Sequence, residues 1–145
     1  VYDLTLLDRV EKVDGTLLRE SEPKVTRTID EIADSTWDAV HAGMRGVIQE
    51  SWYIFPSLND YGIEFYGKTG TAQQSKTHPD HGLFVGFSAS GPSQIAMAVR
   101  IANGYSSTYA AEVGNALMEY YTGITEVSEL LTGTASSVSI SVQGD

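Results

Sequence analysis

The sequence predicts an α+β fold, an antiparallel sheet flanked by helices. Three β-rich runs, residues 62–72, 81–90 and 94–104, follow one another with only turn-forming stretches between them, as in a meander and not a parallel crossover. Apolar residues recur at helical spacing before these runs, over 36–49, and after them, from Tyr109 to Tyr121. A chain of 145 residues is long enough for one domain with a substantial core.

The elements follow in order. Apolar runs at Leu4–Val13 and Thr16–Leu18 flank Asp14-Gly15, a pair that takes up the positive φ of a tight turn, so residues 4–20 read as a β-hairpin. Ser21-Glu22-Pro23-Lys24 opens an irregular, extended segment that reaches Ala33, because Pro cannot donate to a ladder. Ser35, three before Asp38, forms a weak capping box for a helix over 36–49, whose stripe is Trp37, Val40, Met44, Val47 and Ile48, with Trp37 and Met44 expected in the core. Residues 50–60 lack a sustained period and read as a partly packed loop.

In the last β run Ile95, Met97, Val99 and Ile101 alternate with Ala96, Ala98, Arg100 and Ala102, giving a bulky face and a small one that a helix can approach closely. Gly91-Pro92 marks the turn before it. The following helix is capped by Ser107 or Thr108, carries the stripe Tyr109, Val113, Ala116, Leu117, Tyr120 and Tyr121, and stops at Gly123. Residues 1–123 therefore form the folded portion, and 124–145 a Ser/Thr-rich tail expected to be flexible.

Composition narrows the function. Nine Lys and Arg against 19 Asp and Glu give a formal charge of −10, which repels nucleic-acid backbones. With no Cys there is no thiolate nucleophile and no cysteine-ligated metal. No stretch reaches the ~20 apolar residues of a membrane span, and the first residues, VYDLTLLDRV, carry neither Met nor a signal-peptide pattern, so the chain is expected to be an excised piece.

Two motifs compete for residues 61–73, YGIEFYGKTGTAQ. Gly62 to Thr69 fits the phosphate cradle G-x-x-x-x-G-K-[ST], and Lys68-Thr69-Gly70 fits the K-T-G triplet of penicillin-recognising enzymes. A cradle needs small residues whose N–H groups curl round the anion and a helix starting at the Lys. Here bulky Ile63, Phe65 and Tyr66 and acidic Glu64 fill the loop, and Gly-Thr-Ala-Gln follows Thr69, so the cradle is rejected. The alternative is an edge strand whose Lys68, Thr69, Gly70 and Thr71 all face one groove. Lys68 fixes positive charge beside a nucleophile, Gly70 leaves room for a substrate backbone, the Thr71 N–H points at a developing oxyanion, and the Thr69 and Thr71 hydroxyls hold a carboxylate.

GKTGTAQ, then HGLFVGFSAS and a third strand ending in Asn-Gly, resemble the last part of the transpeptidase domain of class B, high-molecular-weight penicillin-binding proteins. The segment STWDAVHAGMRGVIQE resembles the helix before the motif strand, and His81 stands where the family has a histidine opening the next strand. The resemblance covers about residues 20–122. It implies the C-terminal portion of the serine β-lactamase and penicillin-binding-protein fold, with the motif on the edge of a five-stranded antiparallel sheet. It further implies a serine D,D-transpeptidase that cross-links peptidoglycan stem peptides at their D-Ala-D-Ala ends and is acylated by β-lactams, using no metal or organic cofactor. It places the protein outside the plasma membrane, held by a helix upstream of this chain. A β-lactam sensor or an inactive scaffold of the same fold is the rival.

The family's Ser-x-x-Lys and Ser-x-Asn motifs have look-alikes here. Ser21-Glu22-Pro23-Lys24 contains Pro and has no helical stripe, and Ser57-Leu58-Asn59 lies only nine residues before Lys68, so both true motifs, and with them the rest of the transpeptidase domain, are expected outside this chain. His78-Pro79-Asp80-His81 lacks a supporting third site for a metal. Tyr66 either lines the groove or packs beneath it.

Overall fold

The computed structural model describes residues 1–89 and 94–130. It divides into two compact units, residues 1–38 and the remainder. The expected Gly91-Pro92 turn and residues 131–145 of the expected flexible tail lie outside the described residues. Within that tail's bounds, Val127–Leu130 forms a short helix (α4). Among the described residues no helix is long and apolar enough to cross a membrane.

In the first unit β1 (Arg9–Glu11) pairs antiparallel with β2 (Leu17–Glu20), and the register shifts between Val10 and Glu11. Gly15 has φ +82° at the turn, and Asp14 Oδ1 accepts the Thr16 N–H at 2.9 Å. The Thr16 side chain and N–H hold the Asp14 carboxyl below the usual carboxylate range. This contribution to turn stability is present above the ordinary carboxylate value and is lost as pH falls through the lowered one. The hairpin is shorter than the apolar runs suggested because β2 stops at Glu20, opposite Arg9, ahead of Pro23. Beyond it the chain is irregular, as expected, with one bridge between Tyr2 and Val25.

Helix α1 spans Asp34–Glu50, so Ser35 lies inside its first turn and not at its cap. Of its predicted stripe Ile48 is fully buried, whereas Trp37 is 38% exposed, which corrects its assignment to the core; Met44 is half-buried. Residues 50–60 also depart from the expected loop. Pro56–Asp60 is a single helical turn (α2) with Pro56 at its start, where no N–H is needed, and Leu58 is buried. Asn59 Nδ2 donates to the Ile48 carbonyl at 3.2 Å and ties this turn to α1.

The sheet has the order β3-β4-β5: β3 Phe65–Ala72, β4 His81–Ser88 and β5 Ile95–Ile101, all antiparallel. Helix α3 (Ser107–Tyr121) is capped by Ser106, one residue before the expected positions, whose Oγ accepts the Thr108 N–H at 3.2 Å. Gly123, at φ +72°, follows its end as expected.

Phe55, Phe65 and Phe84 centre the core, with ring centroids 5.8–6.1 Å apart, joined by Ile48, Leu58 and Met118. Two expectations about faces are corrected. Helix α3 buries Ala110, Ala111, Gly114 and Met118, while Tyr109, Val113, Leu117 and Tyr120 of the predicted stripe are 42–53% exposed. On β5 it is the bulky side, with Met97, Val99 and Ile101, that packs into the core, and the small side faces out. The common reason is Phe84: a Cβ on Gly114 would lie 2.6 Å from its ring, so the small face of α3 lets the helix close onto a large side chain of the sheet. Phe84→Ala is therefore expected to lower unfolding free energy by about 3–5 kcal/mol, read from urea denaturation midpoints. A loss under about 1 kcal/mol would remove Phe84 from the centre of the core.

Candidate active-site strand

The motif residues sit where sequence reasoning put them, on an edge strand. Among the described residues strand β3 pairs with β4 alone, in the register Lys68↔Val85, Thr69↔Phe84, Gly70↔Leu83 and Thr71↔Gly82. Side chains alternate across a strand. Lys68 and Gly70 therefore share one face with Tyr66 and Ala72, and Thr69 and Thr71 share the other with Phe65. The expectation that all four face one groove is corrected to this: they share the free edge, with the amine on one side and both hydroxyls on the other. Lys68 and Thr71 are exposed.

Two side chains reveal which backbone groups point outward. Arg45 Nη1 donates to the Phe65 carbonyl at 3.2 Å, and Lys68 Nζ donates to the Thr69 carbonyl. In an antiparallel ladder each residue turns its N–H and C=O to the same side and its neighbours turn theirs to the other. Gly67, Thr69 and Thr71 thus have the outward parity of Phe65, and the Thr71 N–H faces the open edge. An added peptide could use these groups as a strand would. The same geometry disposes of the phosphate cradle, since Lys68 and Thr69 are mid-strand and β structure continues to Ala72.

Beside Lys68 on its face Tyr66 stacks on Phe87, centroids 4.8 Å apart and planes 6° from parallel. His41 of α1 meets Phe87 edge-on at 5.4 Å and lies 5.7 Å from Tyr66. Tyr66 is thus part of a three-ring cluster that packs α1 against the sheet. Sequence reasoning missed His41 and Arg45; their signal is the four-residue spacing that puts both on one side of α1.

The look-alike motifs are elsewhere. Ser21 and Lys24 lie in the irregular segment of the first unit, and Asn59 spends its amide on the Ile48 carbonyl. The two histidines part company. His78 contacts the Thr77 hydroxyl at 3.1 Å on the surface, whereas His81, 7% exposed, accepts the Asn103 N–H on Nδ1 at 2.9 Å. Among the described residues no three His, Cys, Asp or Glu side chains converge as metal ligands.

With this geometry in place, the comparisons are specific. The family model described as the penicillin binding protein transpeptidase domain matches residues 1–119. The fold is similar to penicillin-binding protein A from M. tuberculosis, solved as an imipenem acyl-enzyme complex, with TM-score 0.61 and 21% identity over 79% of this chain and 25% of that one. It is similar to the D,D-transpeptidase domain of a peptidoglycan glycosyltransferase from Eggerthella lenta, with TM-score 0.55 and 22% identity over 81% of this chain and 27% of that one. It also resembles Pseudomonas aeruginosa PBP2 in complex with WCK 5153, with TM-score 0.52 and 30% identity over 79% of this chain and 25% of that one. The chain thus spans about a quarter of the length of these solved chains. No curated protein matches the chain.

Proposed function

The chain belongs to the penicillin-binding-protein transpeptidase domain family, and from that premise we propose that it is the C-terminal part of a class B serine D,D-transpeptidase domain that cross-links peptidoglycan and is acylated by β-lactams. The single observation that carries the reading is the free β3 edge, where the Lys68 amine, the bare Gly70 and the outward Thr71 N–H stand within four residues of one another. The nucleophilic Ser and its Lys partner belong to the portion of the domain outside these residues.

In the complete domain a stem peptide lies along the edge of β3 as an added strand, admitted by Gly70. The serine oxygen attacks the penultimate D-Ala carbonyl carbon, forming the ester bond as the peptide bond to terminal D-Ala breaks, and D-Ala leaves with a proton on its nitrogen. The Thr71 N–H donates to the oxyanion that develops on the attacked carbonyl. Lys68 supplies positive charge beside the serine proton and the substrate carboxylate, and the Thr69 and Thr71 hydroxyls hold that carboxylate from the opposite face. An amine from a second strand then attacks the ester and releases the serine. A β-lactam follows the first half of this path, its ring amide standing in for the scissile bond; one of the similar structures is an imipenem acyl-enzyme complex. The reaction belongs on the outer side of the plasma membrane, with the anchor upstream of this chain.

The test is labelling with a fluorescent penicillin. The 145-residue chain alone should take up no covalent label, and the complete domain should be labelled stoichiometrically. Label on the chain alone that vanishes in Ser21→Ala would place the nucleophile at Ser21 and overturn the reading.

A further inference from the structure

At the C-terminal end of the motif strand lies a buried histidine that the reaction above does not use. His81 opens β4 opposite Ala72, one residue beyond Thr71. Its Nδ1 accepts the Asn103 N–H, so in the neutral ring the proton sits on Nε2, which donates to Gln74 Oε1. Arg100 Nη2 lies 3.2 Å from the same Nε2, a donor facing a donor in this tautomer, and so leaves the Gln74 oxygen as its acceptor. Gln74 is the second residue after β3 ends, so this bond reaches back to the strand that carries Thr71.

The other side of the ring is anchored firmly. Asn103 and Tyr105 hold φ of +53° and +62°, left-handed values that cost energy in residues other than Gly and persist where the surroundings impose them. Asp80, just before β4, and His81 and Gly82, its first two residues, impose them here. The Asp80 carbonyl accepts the Tyr105 N–H at 3.0 Å, His81 Nδ1 accepts that of Asn103, and Gly82 packs so closely on the turn that a Cβ there would lie 2.4 Å from the Ser106 carbonyl oxygen. The strained turn thus orients the imidazole, and the imidazole holds Gln74.

We propose that His81 is a positioning residue for acyl transfer, fixing the end of β3 through Gln74 so that the Thr71 N–H keeps its aim at the oxyanion. The proposal rests on the acyl-transfer reading of this edge. An oxyanion donor that drifts loses much of its value, because its contribution depends on being held in place before charge develops.

The experiment compares acylation rate constants of the complete domain for Gln74→Ala, Gln74→Glu, His81→Asn and the Gln74→Ala/His81→Asn double variant, each with its thermal melt, beside Lys68→Ala. Glu keeps an acceptor for Nε2–H, whereas Asn at 81 keeps the acceptor for the Asn103 N–H but cannot reach Gln74. Gln74→Ala and His81→Asn should each slow acylation about tenfold at unchanged β-lactam affinity, Gln74→Glu should recover wild-type rate within about threefold, and the double variant should be no slower than either single one. Wild-type rates in Gln74→Ala while Lys68→Ala is slow, or additive losses in the double variant, would overturn the proposal. If Lys68→Ala is also at wild-type rate, the acyl-transfer reading itself has failed. Amide exchange in the 145-residue chain then decides the positioning claim alone: the N–H of Ala72, which has the parity turned toward β4, should exchange faster in Gln74→Ala than in Gln74→Glu, and equal exchange would overturn it.

Discussion

Lys68→Ala in the complete transpeptidase domain should slow acylation by a β-lactam about a hundredfold or more, the scale on which removal of one preorganised electrostatic group is felt. The amine stands exposed on the free edge, and its hydrogen bond to the Thr69 carbonyl is a surface contact. Losing it should leave the thermal melt nearly unchanged, since exposed polar contacts contribute little to folding. Lys68→Arg is a useful companion, because it keeps the charge but replaces a compact ammonium by a planar fork, and should recover only part of the rate. Equal acylation by wild type and a folded Lys68→Ala would mean that this edge is not where acyl transfer happens and would favour a scaffold of the same fold.

Thr71 should divide sharply by substitution. Thr71→Ala keeps the backbone N–H and loses only a hydroxyl contact to the substrate carboxylate, so acylation should fall by no more than about tenfold, the scale of one neutral hydrogen bond. Thr71→Pro deletes the N–H and should bring acylation below detection. The sheet should tolerate this exchange better here than at an even-numbered neighbour, because the Thr71 N–H points away from β4, and Pro is accommodated on edge strands only in that orientation. A folded Thr71→Pro domain that acylates like Thr71→Ala would show that another donor holds the oxyanion.

Element order was legible because turn chemistry is local: Asp14-Gly15 marks the hairpin, Pro23 follows the end of β2, and Gly123 follows the end of α3 with the positive φ such a position needs. The motif strand was legible from the K-T-G triplet and the β-forming residues around it, whereas the alternation that puts Lys68 and the two hydroxyls on opposite faces was missed. Faces were harder. Tyr109, Val113, Leu117 and Tyr120 form the larger apolar stripe of α3, yet the helix buries Ala110, Ala111 and Gly114, because Phe84 of β4 already fills the space between them. Which side of a helix is buried depends on the partner's bulk, and that is not written in the helix. The short α2 escaped because five residues show no period. Arg45 on the Phe65 carbonyl and His81 on Asn103 join residues 20 and 22 positions apart, beyond any local pattern.

On the proposed reading the outward N–H of Thr71 receives the oxyanion of the acyl group. The most direct measurement is a crystal structure of the complete domain trapped as its β-lactam acyl-enzyme, with the distance from the acyl carbonyl oxygen to Thr71 N as the quantity read. The expected distance is about 2.7–3.1 Å, the range of a working oxyanion donor, with the ligand's carboxylate at the edge of β3 between the Lys68 amine and the Thr69 and Thr71 hydroxyls. An acyl group whose carbonyl oxygen is held by other donors, with the Thr71 edge empty, would contradict it.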